Sequence, residues 1–549
     1  MYMTELKEKT VSLKYVEAMG DGWNLGNSFD SYNREEDRQE ETWGNPRVTE
    51  KLIQTVKKKG YKNIRLPLTL HMRIDGAEKE YKIDEEFLNR YEDAVKWSLK
   101  EDFYVMINIH HDSVTWLKEW DGDTESEIFT KYVRIWEQLS NRFKQYDDRV
   151  MFESVNEPQF NTDEENGIRY LEVLNDTFYH IVRNSGGNNA TRMLVLPTLL
   201  TNDSQNKLDA LYNQIIGFND ENIIATVHYY SVWMYSANIG RTRFDQVLWD
   251  DVTPRKSLVE VFDRVTETFS DKGIGVVIGE YGLLGYDKSE SANQFGETLK
   301  YLEFVNYYAR QKGFSLILWD NGQHLNRYDY EWHLPRFGEM IEYSMKERSS
   351  YSRGLDTEYI TEPIPKGGLY IPLALNGNSF ESVSLHSEKL IEGEEYTFEA
   401  NTLHLTEAFF TKQYEENNRE IGATVTIILT FSAGADWHHK LIYIDKPILK
   451  AATGKVGEIF EIPTLFNGNH LESLLVKNSN NEAVANNKEL MYLQHSLEFN
   501  PGNESIDLLP DFTTQLTDGE YEVNATFFSG MTAVYHLTVE NGEIKGKSS

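Results

Sequence analysis

Two glutamates sit where hydrolytic chemistry would need them. Glu157 closes the apolar, β-branched-rich stretch Val150-Met151-Phe152-Glu153-Ser154-Val155-Asn156, and Pro158 behind it stops further strand pairing. Glu280 closes a second such stretch, Gly275-Val276-Val277-Ile278-Gly279, with Tyr281-Gly282 behind it. Two carboxylates at two strand ends, 123 residues apart, predict one site assembled by the fold. A carboxyl that gives up a proton and a carboxylate that faces the anomeric carbon are the pair that cleaves a glycosidic bond. The donor has to keep its proton near neutral pH, so its pKa is expected to be raised by burial or a neighbouring carboxylate. The nucleophile has to stay ionised, which a nearby cation such as Arg65 favours.

The other polar strand endings supply helpers. Tyr230 is expected to hydrogen-bond the nucleophile and His228 to tune the donor; two residues apart, they share a strand face. Asn156 is expected to hold a substrate hydroxyl, and Trp319 to lay a flat ring against a sugar. His110-His111-Asp112 raises the question of a metal. Neighbouring strand residues point to opposite faces, so two adjacent histidines are not expected to share an ion, and no metal or cofactor is expected. Trp43, Trp116, Trp120, Trp233 and Trp249 fall between elements, where stacking on sugar rings competes with core packing.

These residues need a scaffold that brings strand ends together. Strand-like and helix-like runs alternate from the start. Strands are expected at 22–27, 61–68, 103–110, 150–156, 192–197, 223–230, 275–280 and 314–319. Helices are expected at 49–59, with Thr49 as N-cap and Gly60 as stop, 84–100 capped by Asp84, 125–143, 168–183, 205–215, 254–269, 292–311 and 336–346. Eight strand–helix pairs in roughly 350 residues are the pattern of a (β/α)8 barrel, which carries its catalytic groups at the C-terminal ends of strands. No Gly-x-Gly-x-x-Gly follows the first strand, so no doubly wound nucleotide fold is indicated.

Beyond residue 350 short alternating runs such as 396–398, 423–429, 441–444 and 521–528 replace helical periodicity and predict two all-β sandwiches. Asn376-Gly377-Asn378 recurs as Asn467-Gly468-Asn469, an echo 91 residues on that fits one repeated turn with positive φ. Trp437-His438-His439 reads as a turn.

The 549 residues carry a net charge of −33, which repels phosphate backbones and argues against nucleic acid. With no cysteine, disulfides, thiolate metal sites and cysteine nucleophiles are excluded. No run of 18 apolar residues predicts a membrane span, and the first residues lack an apolar signal-peptide centre. The acidic runs Glu35-Glu36-Asp37 and Glu415-Glu416 read as solvated surface.

Taken together, Asn156-Glu157-Pro158, Gly279-Glu280-Tyr281-Gly282, Ile64-Arg65-Leu66-Pro67, His110-His111, His228-x-Tyr230 and Trp319 resemble family 5 glycoside hydrolases. The resemblance covers roughly residues 10–347. It implies Glu157 as acid/base, Glu280 as nucleophile and a retaining outcome. Gly22-Trp23-Asn24-Leu25-Gly26-Asn27 and Asn108-Ile109-His110-His111-Asp112 look like the endoglucanase and xyloglucanase subgroup. Asn27, Arg65, His110, His111, Asn156, His228, Tyr230 and Trp319 are the expected substrate-binding residues. The C-terminal parts resemble the immunoglobulin-like and cellulose-binding modules that bacterial cellulases carry. The last tryptophan is Trp437, so Tyr492, Phe499 and Phe528 are the terminal module's aromatic substitutes.

The expected layout is a barrel over 1–349, a linker over 350–367, an immunoglobulin-like sandwich over 368–445 and a carbohydrate-binding-like sandwich over 446–549. The expected protein is a secreted, monomeric, cofactor-free endo-β-1,4-glucanase acting on a polysaccharide. Xyloglucan, mixed-linkage glucan or mannan are the rival substrates. A non-catalytic glycan-binding protein with a degenerate barrel is the rival of another class.

Overall fold

A computed structural model describes residues 9–33, 39–239, 243–247, 252–285, 289–290, 294–417, 420–484 and 497–549. Trp249, Tyr492 and Glu35-Glu36-Asp37 lie outside them. The chain divides into two compact units. One comprises 1–230, 257–282 and 305–338, the other 231–256, 283–304 and 339–549.

The first unit holds a closed barrel of eight parallel strands in chain order. They are β1 (Gly22–Asn24), β2 (Asn63–Leu66), β3 (Tyr104–Asn108), β4 (Val150–Glu153), β5 (Leu194–Pro197), β6 (Ile223–Tyr229), β7 (Gly275–Tyr281) and β8 (Ser315–Leu318). The expected strands are all present; seven are trimmed by up to three residues at an end, and β7 runs one residue further, to Tyr281. The capping signals behave as the sequence chemistry predicts: Thr49 and Asp84 accept the N–H groups of Leu52 and Phe87 at the starts of helices Glu50–Lys58 and Glu85–Lys100. A further helix, Val11–Met19, was not expected. Its Val16 and Met19 pack with Met106, Met151, Val195, Ile224, Val277 and Ile317 at one end of the barrel.

That apolar layer fixes which residues point inward. Arg65 pairs with Met106, and Asn24 pairs with Arg65. Asn108 and Glu153 are register partners two residues beyond Met106 and Met151. All four therefore project into the barrel interior above the apolar layer. Between β6 and β7 the register slips: Val227 pairs with Ile278, but His228 pairs with Glu280. Gly279 is the extra residue of a bulge. Val277 faces inward, so strict alternation would turn Glu280 outward; the bulge reverses the parity and brings Glu280 inside beside His228. A Cβ on Gly279 would lie 2.8 Å from Thr226 Oγ1 and 3.1 Å from His228 Nε2, so only glycine permits this approach.

The second unit contains four sheets, arranged as two successive β-sandwiches. In the first, strands 357–360, 437–443, 424–431, 380–385 and 388–389 form one sheet, and 396–399, 402–405, 369–374 and 351–352 the other. The stretch expected as a linker is thus not a free connector. Tyr351–Ser352 pairs with Leu373 and Ala374, and Thr357–Ile360 runs parallel to Lys440–Tyr443. Backbone groups in both segments find sheet partners that a Pro/Gly-rich composition does not reveal. Trp437-His438-His439 is likewise a strand, not a turn, and buries Trp437 and His439 completely. A helix, Glu407–Asn417, interrupts the strands.

The last sandwich joins strands 448–449, 460–465, 505–508 and 497–500 with 452–455, 543–548, 532–540, 519–527 and 471–478, around a core that includes Phe460, Ile462, Val523 and Tyr535. The Asn-Gly echo is one turn used twice. Asn376 and Gly377 have φ of 51° and 97°, Asn467 and Gly468 of 48° and 80°. Asn376 and Asn378 donate to the carbonyls of Ser349 and Arg348. Asn467 and Asn469 donate to those of Lys446 and Asp445. Each turn ties its sandwich to the segment leading into it.

Candidate active site

Glu157 and Glu280 meet at the C-terminal end of the barrel, in the first unit. One oxygen of each and one nitrogen of His228 lie within 4.8 Å of one another. Oxygens this close suit double displacement, in which the two carboxyl groups stand about 5–5.5 Å apart.

Glu280 is buried, 4 % exposed, and held from two sides. Arg65 Nη1 donates to Oε1 at 2.8 Å and the Tyr230 hydroxyl to Oε2 at 2.7 Å. Arg65 is wholly buried and spends its other donors locally: Nη1 on Asn24 Oδ1 at 2.9 Å, Nη2 on Asn156 Oδ1 at 2.7 Å and Nε on Glu153 Oε2 at 2.8 Å. With its oxygen occupied, Asn156 has its NH2 left to donate to a substrate hydroxyl. Burial, and then the charge of Glu280 beside it, raises the Tyr230 hydroxyl well above its ordinary pKa, so it stays a donor.

Glu157 sits at φ 39°, an uncommon value for a non-glycine residue, and its side chain is 41 % exposed. His228 Nδ1 is 2.9 Å from its Oε1 and 3.6 Å from Glu280 Oε2. Glu157 does not carry the raised pKa expected of the donor. Burial pushes it up, but the His228 hydrogen bond and charge outweigh burial, and the net direction is down from 4.5. Burial pulls His228 down, but the charge of Glu280 and the bond to Glu157 prevail, and it is raised above 6.5. Both shifts favour a charged Glu157–His228 pair in the free site, with a proton shared along the Nδ1–Oε1 hydrogen bond.

His110 lies 2 % exposed with Nε2 3.8 Å from Glu280 Oε1. Its ring stacks parallel to Trp319 at 5.5 Å. His111 lies beside it, ring centroids 4.6 Å apart, and pairs with Asp30 Oδ2 at 3.3 Å. The expectation that the two histidines face opposite ways fails because β3 ends at Asn108; both rings lie beyond the strand, and His111 has helical φ and ψ. Trp43, 40 % exposed, packs at 5.1 Å from His111 and 5.3 Å from Tyr32, extending the aromatic shelf. Asn27 lies within the loop after β1 at φ 55°, and its carbonyl accepts from Asn45 at 3.0 Å.

The remaining tryptophans divide. Trp120 is core, packed on Phe129, Phe160 and Tyr170. Trp116 is half-buried and donates to Asp112 at 2.6 Å. In the second unit Trp233 is exposed, Phe499 packs on Phe466, and Arg243 lies over the Phe528 ring. Sequence reasoning missed Asn24, Asp30, Asn108 and Glu153, all buried beneath the reacting pair.

Residues 25–325 match the cellulase family, glycosyl hydrolase family 5. The chain belongs to that family. Residues 363–441 match carbohydrate binding domain X2, and 445–547 match a second carbohydrate binding domain, CBM46. Endoglucanase B of Paenibacillus lautus is 38 % identical over 542 residues, 97 % of this chain and 93 % of that protein. Among solved structures, the full-length tri-modular endo-β-1,4-glucanase B of Bacillus halodurans is 36 % identical with a TM-score of 0.89, covering 99 % of this chain and all of that one. A tri-modular family 5 endo-β-1,4-glucanase of Bacillus licheniformis complexed with cellotetraose is 25 % identical with a TM-score of 0.77, covering 96 % and 99 %. This family 5 chain is a glycoside hydrolase, and its family retains anomeric configuration.

Proposed function

We propose that Glu280 is the nucleophile and Glu157 the acid and base of a retaining endo-β-1,4-glucanase. The endo-β-1,4-glucanase activity itself follows from family membership and from relatives that span nearly the whole chain. The observation that carries the roles is the Glu157–His228–Glu280 cluster, with its ligand atoms within 4.8 Å. Glu280 attacks the anomeric carbon while Arg65 and Tyr230 hold its carboxylate in line. As the glycosidic oxygen approaches, His228 returns the shared proton to Glu157, which passes it to the departing sugar. Esterification removes the charge of Glu280, the foremost upward influence on His228. Glu157 is then left as the base that takes a proton from water, and water releases the sugar with its configuration retained.

Asn27, His110, His111, Asn156 and Trp319 would grip the sugar that bears the reacting carbon, and Trp43 offers a further platform. We further propose that the enzyme acts as a monomer. Among the described residues no helix is long and apolar enough to cross a membrane. A polymer too large to enter cells implies work outside them, with the C-terminal modules proposed to engage the glycan.

A reducing-sugar assay over cellulose, mixed-linkage glucan, xyloglucan and mannan tests the substrate. Products from the β-1,4-glucans are expected; binding without product release would instead mark a non-catalytic glycan receptor.

A further inference from the structure

Glu153 has no part in the reaction as described, yet it lies fully buried at the end of β4, directly beneath the site. We propose that Glu153 is a positioning residue: it aims Arg65 at the nucleophile and, through Asn108, holds His110 in the tautomer whose proton is on Nε2, facing Glu280. The inference rests on the roles given to Glu157 and Glu280 and adds the groups that set them up.

The donor and acceptor pattern leaves one solution. Glu153 Oε2 accepts from Arg65 Nε at 2.8 Å and Asn108 Nδ2 at 2.8 Å, and Arg65 Nη2 lies 2.7 Å from it as an ion-pair contact. That fixes the guanidinium plane and leaves Nη1 for Glu280. Asn108 Oδ1 takes the Leu68 N–H at 3.3 Å. A backbone N–H cannot accept and a salt-bridged carboxylate cannot donate, so the Asn108 amide cannot turn over. Its Nδ2 therefore faces His110 Nδ1 at 3.2 Å as a donor, and Nδ1 must carry the lone pair. Burial foremost, with the charges of His111, Arg65 and His228, pushes His110 well below the ordinary histidine range, so the ring is neutral. A neutral ring has one proton, and only Nε2 is left for it. An N–H thus points toward Glu280 Oε1, 3.8 Å away, where a lone pair would repel it. Arg65, divided between two carboxylates, also cannot neutralise the nucleophile fully.

Glu153→Gln keeps an oxygen for Arg65 and Asn108 and removes only the charge. We expect kcat on cello-oligosaccharides to fall about ten- to a hundredfold with KM little changed, and the acidic limb of kcat/KM to move down by at least about half a pH unit, because Arg65 then serves Glu280 alone. A limb that stays in place means Glu153 merely fills the core and overturns the proposal. Nitrogen-15 NMR of the histidine-labelled unaltered chain, with His110 assigned by its absence in His110→Asn, reads the tautomer independently of whether the variant folds. A proton on Nε2 is expected; a proton on Nδ1 overturns the proposal. Trapping with a 2-deoxy-2-fluoro cellobioside separates the two layers. A label away from Glu280 refutes the nucleophile itself, whereas a label on Glu280 with an unmoved limb refutes only the part given to Glu153.

Discussion

Glu157→Gln isolates proton transfer from the rest of the reaction. Glutamine matches the side chain in size and keeps an oxygen for His228 Nδ1, 2.9 Å away in the parent, so the geometry survives and the transferable proton is lost. A positioned acid contributes roughly 10²–10⁴-fold, about 3–5 kcal/mol of barrier. A sugar alcohol is a poor leaving group and needs all of that help, so kcat/KM on glucan should fall by about 10²–10⁴. A phenol with several electron-withdrawing groups leaves unaided, so kcat/KM on the corresponding aryl cellobioside should fall by less than about tenfold. Its kcat should fall much further, because water must attack the glycosyl ester without a base. The ester then accumulates, and stopped-flow absorbance should show a burst of one phenol per enzyme. Azide needs no base and should restore turnover as the retained glycosyl azide; Glu280→Gln should show neither burst nor rescue. Equal losses on glucan and aryl glycoside would refute the assignment, since a residue that only shapes the site cannot sense the leaving group.

Arg65→Met leaves Glu153 and Glu280 buried beside an apolar chain. Breaking such a pairing costs about 3–5 kcal/mol, and at about 2–4 °C per kcal/mol the melting temperature should fall by roughly 6–20 °C, read by calorimetry at pH 7. Gly279→Ala drives a methyl toward Thr226 and His228; a shift near 1 Å should cost about a hundredfold in kcat, partly regained by adding Thr226→Ala. The Glu157–His228 pair also makes stability depend on pH. Glu157, depressed from 4.5, contributes above that value and loses its contribution as pH falls through its folded pKa. His228, raised from 6.5, contributes below that value and loses its contribution as pH rises through its folded pKa. The difference in melting temperature between parent and His228→Asn should therefore be greatest between those two values and shrink on either side; a difference that keeps growing above pH 8 would refute it.

The barrel was legible because its signals are local: apolar runs of strand length, Thr49 and Asp84 at helix starts, and polar residues at strand ends. Glu157 and Glu280 were legible for the same reason. What lay hidden was long-range. The sequence shows Glu153 as one charge in an apolar run; its meaning appears only when the barrel brings Arg65 and Asn108 to it. Composition could have raised the question, since a carboxylate facing a barrel interior has to be paired. The bulge at Gly279 was silent too, because parity depends on what the neighbouring strand does. The residues near 351 and 357 read as connector by composition, although strands 369–374 and 437–443 recruit them. Trp437 was misread because two histidines beside a tryptophan carry no clear alternation.

The paired Asn-Gly turns have a chemical cost. An asparagine before glycine cyclises to a succinimide and opens to aspartate or isoaspartate, and neither product retains the amide that donates to Ser349 or Lys446. Storage in warm, alkaline buffer should therefore age this enzyme at Asn376 and Asn467 as well as at its other Asn-Gly pairs, Asn541-Gly542 among them. The damage would loosen each sandwich at its own base while Glu157 and Glu280, untouched, continued to cut soluble substrate.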